Sequence, residues 1–282
     1  MGTKILQNAE PWKLSIAKYK IPGYTWVDKF GRNSDLDTGT QPETIWELGG
    51  VYPWGNDSGE TMYISSSNDT DTQSVEFSVL TIDANDNWNL EVFKQQVAGQ
   101  TKTQLLPPSG DPVVRIFSME NEGNTDIAGI LYAYYDSTVN NGTPNDLTAV
   151  LSVIFNGSNQ TKQLNYTVPT GYVGFLIRGE AGVGRGAGTD QVALSYRSRR
   201  FGKVFKTKKD FTLMTGGASI YKDERSIPDP IPAKTDLSIM TTFVSANNMT
   251  VWGTFDILLI EEDVLEAERP GYLDLIGQIR RV

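Results

Sequence analysis

Val75-Glu76-Phe77-Ser78-Val79 places an apolar side chain at every second position, the period of a strand with one buried and one solvated face. Asp83-Ala84-Asn85-Asp86-Asn87-Trp88 follows as a run of turn formers, and Leu90-Glu91-Val92-Phe93 resumes the sheet. The same grammar extends outward, predicting strands over 112–119, 130–135, 149–155, 161–168, 173–178, 192–199, 203–207, 212–215, 236–244 and 249–260. Their spacing, roughly 10 to 15 residues with no helical stripe between them, is that of an antiparallel β-sandwich or jelly roll and argues against a parallel α/β sheet. The predicted class is all-β.

At 282 residues the chain exceeds the usual single core, so two domains, or one domain with long arms, is the expectation. We divide it into an N-terminal arm (1–60), two sandwich halves or domains (61–160 and 161–260) and a C-terminal tail (261–282). Prolines and glycines punctuate residues 1 to 70 and predict irregular structure there. Four of the six tryptophans, Trp12, Trp26, Trp46 and Trp54, sit in that stretch. Large aromatics gain by burial, so the arm should dock on its own domain or on a neighbouring subunit. The tail, with Leu273, Leu275, Ile276 and Ile279 as an apolar stripe before Arg280 and Arg281, reads as helical.

The chain contains neither cysteine nor histidine. Thiolate nucleophiles, disulfides, imidazole bases and Cys/His metal sites are therefore excluded, and no catalytic, cofactor or metal residue is assigned. No stretch has the length of a signal peptide or a bilayer span, which predicts synthesis in a cytoplasm and no membrane partner. The seven Asn-x-Ser/Thr sequons, at Asn56, Asn68, Asn141, Asn156, Asn159, Asn165 and Asn248, then read as turns and strand edges.

Charge is uneven. The net value is −9, yet residues 185–225 carry ten Lys/Arg against four Asp/Glu. Arg197, Arg199, Arg200, Lys206 and Lys208, interleaved with aromatics, form a basic stripe suited to contacts between unlike subunit surfaces or to plain solvated strand edges. The acidic total, and the lack of a recognised nucleic-acid motif, weigh against nucleic acid. Gly182-Val-Gly184-Arg-Gly186-Ala-Gly188 lacks the following helix or Gly-Lys-Ser/Thr of a phosphate loop and reads as a hairpin connection. The carboxylates at Asp35/Asp37, Asp69/Asp71, Asp83/Asp86 and Glu261/Glu262/Asp263 are read mainly as turn residues, with a two-carboxylate glycosidase as a rival. A second rival stacks sugars on Trp54, Trp88 and Trp252 in a tail-associated receptor- or glycan-binding protein.

Gly31-Arg-Asn-Ser-Asp-Leu-Asp-Thr-Gly39, followed by Glu43-Thr-Ile-Trp46 and Gly49-Gly50, resembles the opening of a group of tailed-bacteriophage virion structural proteins, especially of aquatic phages. Tyr166-Thr-Val-Pro-Thr-Gly-Tyr172, Arg199-Arg-Phe-Gly-Lys-Val-Phe205, Lys234-Thr-Asp236 and Phe255-Asp-Ile-Leu-Leu-Ile260 continue that similarity. The resemblance implies a non-enzymatic virion component made in the bacterial host cytoplasm: a capsid decoration or cement protein, or a head spike, that forms homo-oligomers and contacts other virion proteins such as the major capsid protein. It does not choose between head and tail.

Overall fold

The alternation at Val75, Phe77 and Val79 is realised in the strand Ser74–Ile82, where all three side chains are buried. In the computed structural model, which describes residues 11–135, 137–184, 189–216, 220–224 and 228–279, this strand is the centre of a three-stranded sheet between Trp88–Gln96 and Val113–Asn121. The turn between its first two strands is fixed by Asp83, which accepts the backbone N–H groups of Asn85 at 2.8 Å and Asn87 at 2.9 Å. Hydrogen bonds from Asn87 above all hold the Asp83 carboxyl below its ordinary range, because they favour the charged form.

Three larger or equal sheets and one small hairpin make up the rest. Val150–Ile154, Leu131–Tyr135, Met62–Ser66 and Thr103–Gln104 lie side by side in that order. A second sheet runs Tyr24–Leu36, Met249–Glu261, Tyr172–Gly184 and Ile220–Glu224, with Pro230–Ile231 also paired to Tyr172–Gly184. A third runs Asn165–Thr167, Thr235–Val244, Gln191–Arg200 and Lys206–Met214, with Glu43–Thr44 on Thr235–Val244. Val139–Asn140 and Thr143–Pro144 form the hairpin. These pairings are antiparallel, so the all-β class is correct.

The jelly roll is not what forms. The sheets stand in a propeller-like arrangement, and the named strands between residues 62 and 154 pair only among themselves and do not interleave with the later ones. One core lies between the three-stranded and four-stranded sheets and contains Ile64, Phe77, Ile116, Met119, Ala133 and Ile154. A larger core lies between the two five-stranded sheets around Leu176, Leu194, Ile239, Phe255 and Ile257. Leu80, Trp88, Val114 and Phe117 join this second core, so the three-stranded sheet serves both. Burying each such side chain stabilises by roughly 1.5 to 3 kcal/mol.

The N-terminal stretch departs from expectation. Tyr24–Leu36 is a thirteen-residue strand paired with Met249–Glu261 almost throughout its length. Gly31 interrupts nothing; it makes room. A Cβ there would sit 2.3 Å from the backbone nitrogen of Leu164 and 2.7 Å from the carbonyl of Ile45, and its cross-strand partner Gly253 faces the same Leu164 side chain. Small residues thus permit a close backbone approach that a proline-and-glycine count reads as irregularity.

The termini meet. The helix Trp12–Ala17 and the C-terminal helices Glu262–Glu268 and Tyr272–Ile279 contribute Ile16, Leu265, Leu273 and Ile276 to one cluster on the outer face of the second sheet, against Val173, Phe175 and Leu258. Both ends therefore dock on their own chain. The side chains of Leu275 and Ile279, and residues Arg280 and Arg281, lie outside the described residues.

Two further expectations change. The stretches 203–207 and 212–215 overlap one edge strand, Lys206–Met214, whose burial alternates from Lys208 to Met214 but whose Lys208-Lys209-Asp210 centre is polar on both faces, as an edge tolerates. The glycine run is no hairpin connection, since Tyr172–Gly184 and Gln191–Arg200 belong to different sheets. Gly182 is strand, capped by the Trp252 ring, and residues 185–188 lie outside the described part.

Candidate functional site

Antiparallel pairing of Gln191–Arg200 with Thr235–Val244 sets Arg199 directly opposite Asp236. Arg199 donates from Nε at 2.8 Å and Nη2 at 2.5 Å to one oxygen of Asp236. From the three-stranded sheet, Arg115 reaches the same carboxylate, Nε to Oδ1 at 3.2 Å and Nη2 to Oδ2 at 3.3 Å. Its Nη2 also donates to Asp57 at 2.6 Å and its Nη1 to the Val114 carbonyl at 2.9 Å. Thr167 donates its hydroxyl to Asp236 at 2.6 Å. Two cations and two carboxylates from four separate stretches of chain thus close one network, with the Arg115 side chain only 1% exposed and that of Asp236 3%. Burial by itself lowers the Arg115 pKa, and the charges and hydrogen bonds of Asp236 and Asp57 together outweigh it, so the guanidinium is held above its ordinary value.

Aromatic rings alternate with these cations. Lys234 lies 5.0 Å from the ring centre of Phe201 and 5.3 Å from that of Trp88; Arg115 lies 5.0 Å from Trp88 and 5.7 Å from Trp54. Arg199 continues the series between Trp54 at 5.5 Å and Phe205 at 5.0 Å, and Arg197 lies 5.4 Å beyond Phe205. Each contact contributes on the order of 0.5 to 2 kcal/mol, more where water is excluded.

Of the residues singled out in the sequence, Trp54, Arg197 and Arg199 come together here. Trp46 and Trp54 are buried in the chain's own core, joined edge-to-face through Tyr52. Trp26 is half-buried, and Trp12, 49% exposed at the start of the first helix, packs edge-on against it at 6.4 Å. Lys206 and Lys208 lie on the outermost strand of their sheet, while Arg200, partly buried, pairs with Thr235 on the adjacent strand of the same sheet. The sugar-stacking reading loses two of its three rings, since Trp54 and Trp88 are buried and Trp252 lies over Gly182. Asp71 is buried and used as an acceptor by Ser66 and by the backbone N–H groups of Ala128 and Gly129.

Sequence reading missed Arg115, Asp57, Asp236 and Lys234 as members of a site. One signal was present: Arg115 is the lone charge in Val113-Val114-Arg115-Ile116-Phe117, and a charge inside a buried run requires a partner. Which carboxylate supplies it is a tertiary fact.

Beside this network, the outer face of the Gln191–Arg200 sheet holds a shallow cavity of about 390 Å³ lined by Gln41, Pro42, Ser195, Arg197, Thr207, Met240 and Thr242.

No family model and no curated protein sequence matches the chain. Among solved structures, it is similar to the insecticidal delta-endotoxin Cry8Ea1 of Bacillus thuringiensis, with 8% identity over 74% of this chain and 54% of that one, at a TM-score of 0.22. The chain therefore spans about half the length of that toxin. It is also similar to the PBSX exported protein XepA (12% identity, 82% and 84% covered, TM-score 0.18) and to the VP2 subviral particle of infectious bursal disease virus (9%, 96% and 93%, TM-score 0.15). No helix among the described residues is long and apolar enough to cross a membrane.

Proposed function

We propose that this chain is a non-enzymatic virion structural protein of a tailed bacteriophage, a capsid decoration or head spike subunit acting through protein–protein contacts. The observation that carries the reading is the Arg115–Asp236–Arg199–Asp57 network: it fastens the three-stranded sheet to the sheet of Gln191–Arg200 and Thr235–Val244 around a buried Arg115–Asp236 pair. Such use of Arg and Asp commits them to cohesion and suits a subunit that presents preformed surface to neighbours. The motif resemblance running from Gly31 to Ile260 supports the virion setting. On this reading the chain is made in the bacterial cytoplasm, oligomerises with itself and binds the major capsid protein.

Purified particles of the encoding phage provide the test. Cryo-electron microscopy of intact heads is expected to show this all-β subunit on the shell in a copy number set by its symmetry. Density for the chain on the tail alone would overturn the head assignment, and its absence from purified particles would overturn the structural role.

A further inference from the structure

Arg197 differs from the paired arginines of the molecule, and Arg200 on the same strand likewise has a buried Nη2 with no hydrogen-bond partner among the described residues. Arg115, Arg178 and Arg199 each have a carboxylate at hydrogen-bond distance. Arg197 instead directs Nη1 at the thioether of Met240, a weak acceptor, rests on the Phe205 ring, and has a buried Nε with no hydrogen-bond partner among the described residues. The carboxylates around it are engaged elsewhere: Asp210 accepts from Ser195 Oγ, and Glu43, next to Pro42, accepts from Asn33, Thr40 and the Gly50 backbone. This guanidinium lies in the wall of the 390 Å³ cavity among the hydroxyls of Thr207 and Thr242 and the amide of Gln41.

A planar cation with no carboxylate partner among the described residues, in the wall of a cavity whose other lining side chains are neutral, matches a carboxylate, whose charge it balances and whose oxygens accept from a guanidinium. We infer that the Arg197 cavity is a carboxylate-binding socket. Two sources could supply the group: a free small organic acid, or an acidic side chain on a second copy of this chain, whose net charge of −9 makes such side chains abundant. Carboxylate binding itself does not depend on the proposed virion role; only the second source does.

The probe for the first arm is glutarate, titrated at low ionic strength against the full chain and followed by the amide NMR shifts of Thr207 and Thr242, with neutral glutaramide as control. Saturable shifts with glutarate and none with glutaramide are expected, weakened at least tenfold in Arg197→Gln. Thr242→Tyr, which fills the cavity from an exposed strand position and leaves Arg197 in place, is expected to weaken binding similarly and guards against misfolding of the Arg197 variant. The second arm measures self-association by sedimentation equilibrium. Weaker association in both variants identifies a second copy as the source, whereas unchanged association with intact glutarate binding identifies a free acid. Absence of saturable glutarate binding, or full binding by Thr242→Tyr, overturns the socket; loss of the virion reading alone would leave the glutarate result standing.

Discussion

Asp236 accepts from two arginines and a threonine, so its removal leaves cations buried without a counter-charge. Asp236→Asn is expected to cost about 3 to 5 kcal/mol, read from urea unfolding, and a loss below about 1 kcal/mol would show that the network contributes little. Lys29 gives a pH signature. Its Nζ is buried and donates to the Phe117 carbonyl, and burial pushes its pKa down to about 8. An unfolded lysine titrates near 10.4, so between about pH 8 and 10 the unfolded chain binds more protons and stability rises with pH, by on the order of 3 kcal/mol across the full window. Burial also raises the pKa of Tyr52 and Tyr166, whose contribution is intact below about pH 10 and is lost above it as the unfolded tyrosines ionise. Thermal melting is therefore expected to peak near pH 10, and Lys29→Met is expected to abolish the rise from pH 8. A flat wild-type profile would contradict this.

Among elements, the strand Tyr24–Leu36 and the helix Trp12–Ala17 differ in what they hold. The strand forms one edge of a five-stranded sheet and carries Leu36 into the larger core, whereas the helix buries only Ile16. Deleting residues 1–22 is expected to leave a folded β protein, and deleting 1–50 to prevent folding, as judged by circular dichroism and cooperative melting. A cooperative melt after removal of 1–50 would mean that the remaining strands suffice alone. Gly31→Val tests the close approach within this strand. Its Cβ would collide with backbone of Leu164 and Ile45, which cannot swing aside as a side chain can, so a loss of at least about 1 to 3 kcal/mol is expected.

For the whole molecule, the question is which of the basic residues between 185 and 225 remain available to a neighbour. Arg199 is committed to Asp236, Lys209 to Asp223 at 3.1 Å and Lys222 to Glu180 at 3.2 Å, so reversing Arg199 would damage the fold before it tested assembly. Lys203 and Lys206 are exposed where the outermost strand begins. Lys203→Glu with Lys206→Glu is expected to change stability by less than about 0.5 kcal/mol while weakening incorporation into particles, and added salt should weaken wild-type incorporation in the same direction through screening. Unchanged incorporation at every salt concentration would assign this edge to preventing unwanted strand pairing. The sequence by itself determined the all-β class, most strand positions and the helical C-terminus, because alternation and turn chemistry are local and survive without knowledge of neighbours. Its silence on the Tyr24–Leu36 strand has a physical cause, since the glycine that disguises it is required by the close approach of Ile45 and of the distant Leu164. Only the tertiary structure decided that the strands form separate sheets and not a jelly roll, that Trp46 and Trp54 face inward, and that Arg199 is paired while Arg197 is not, because register and packing select each partner from distant parts of the chain.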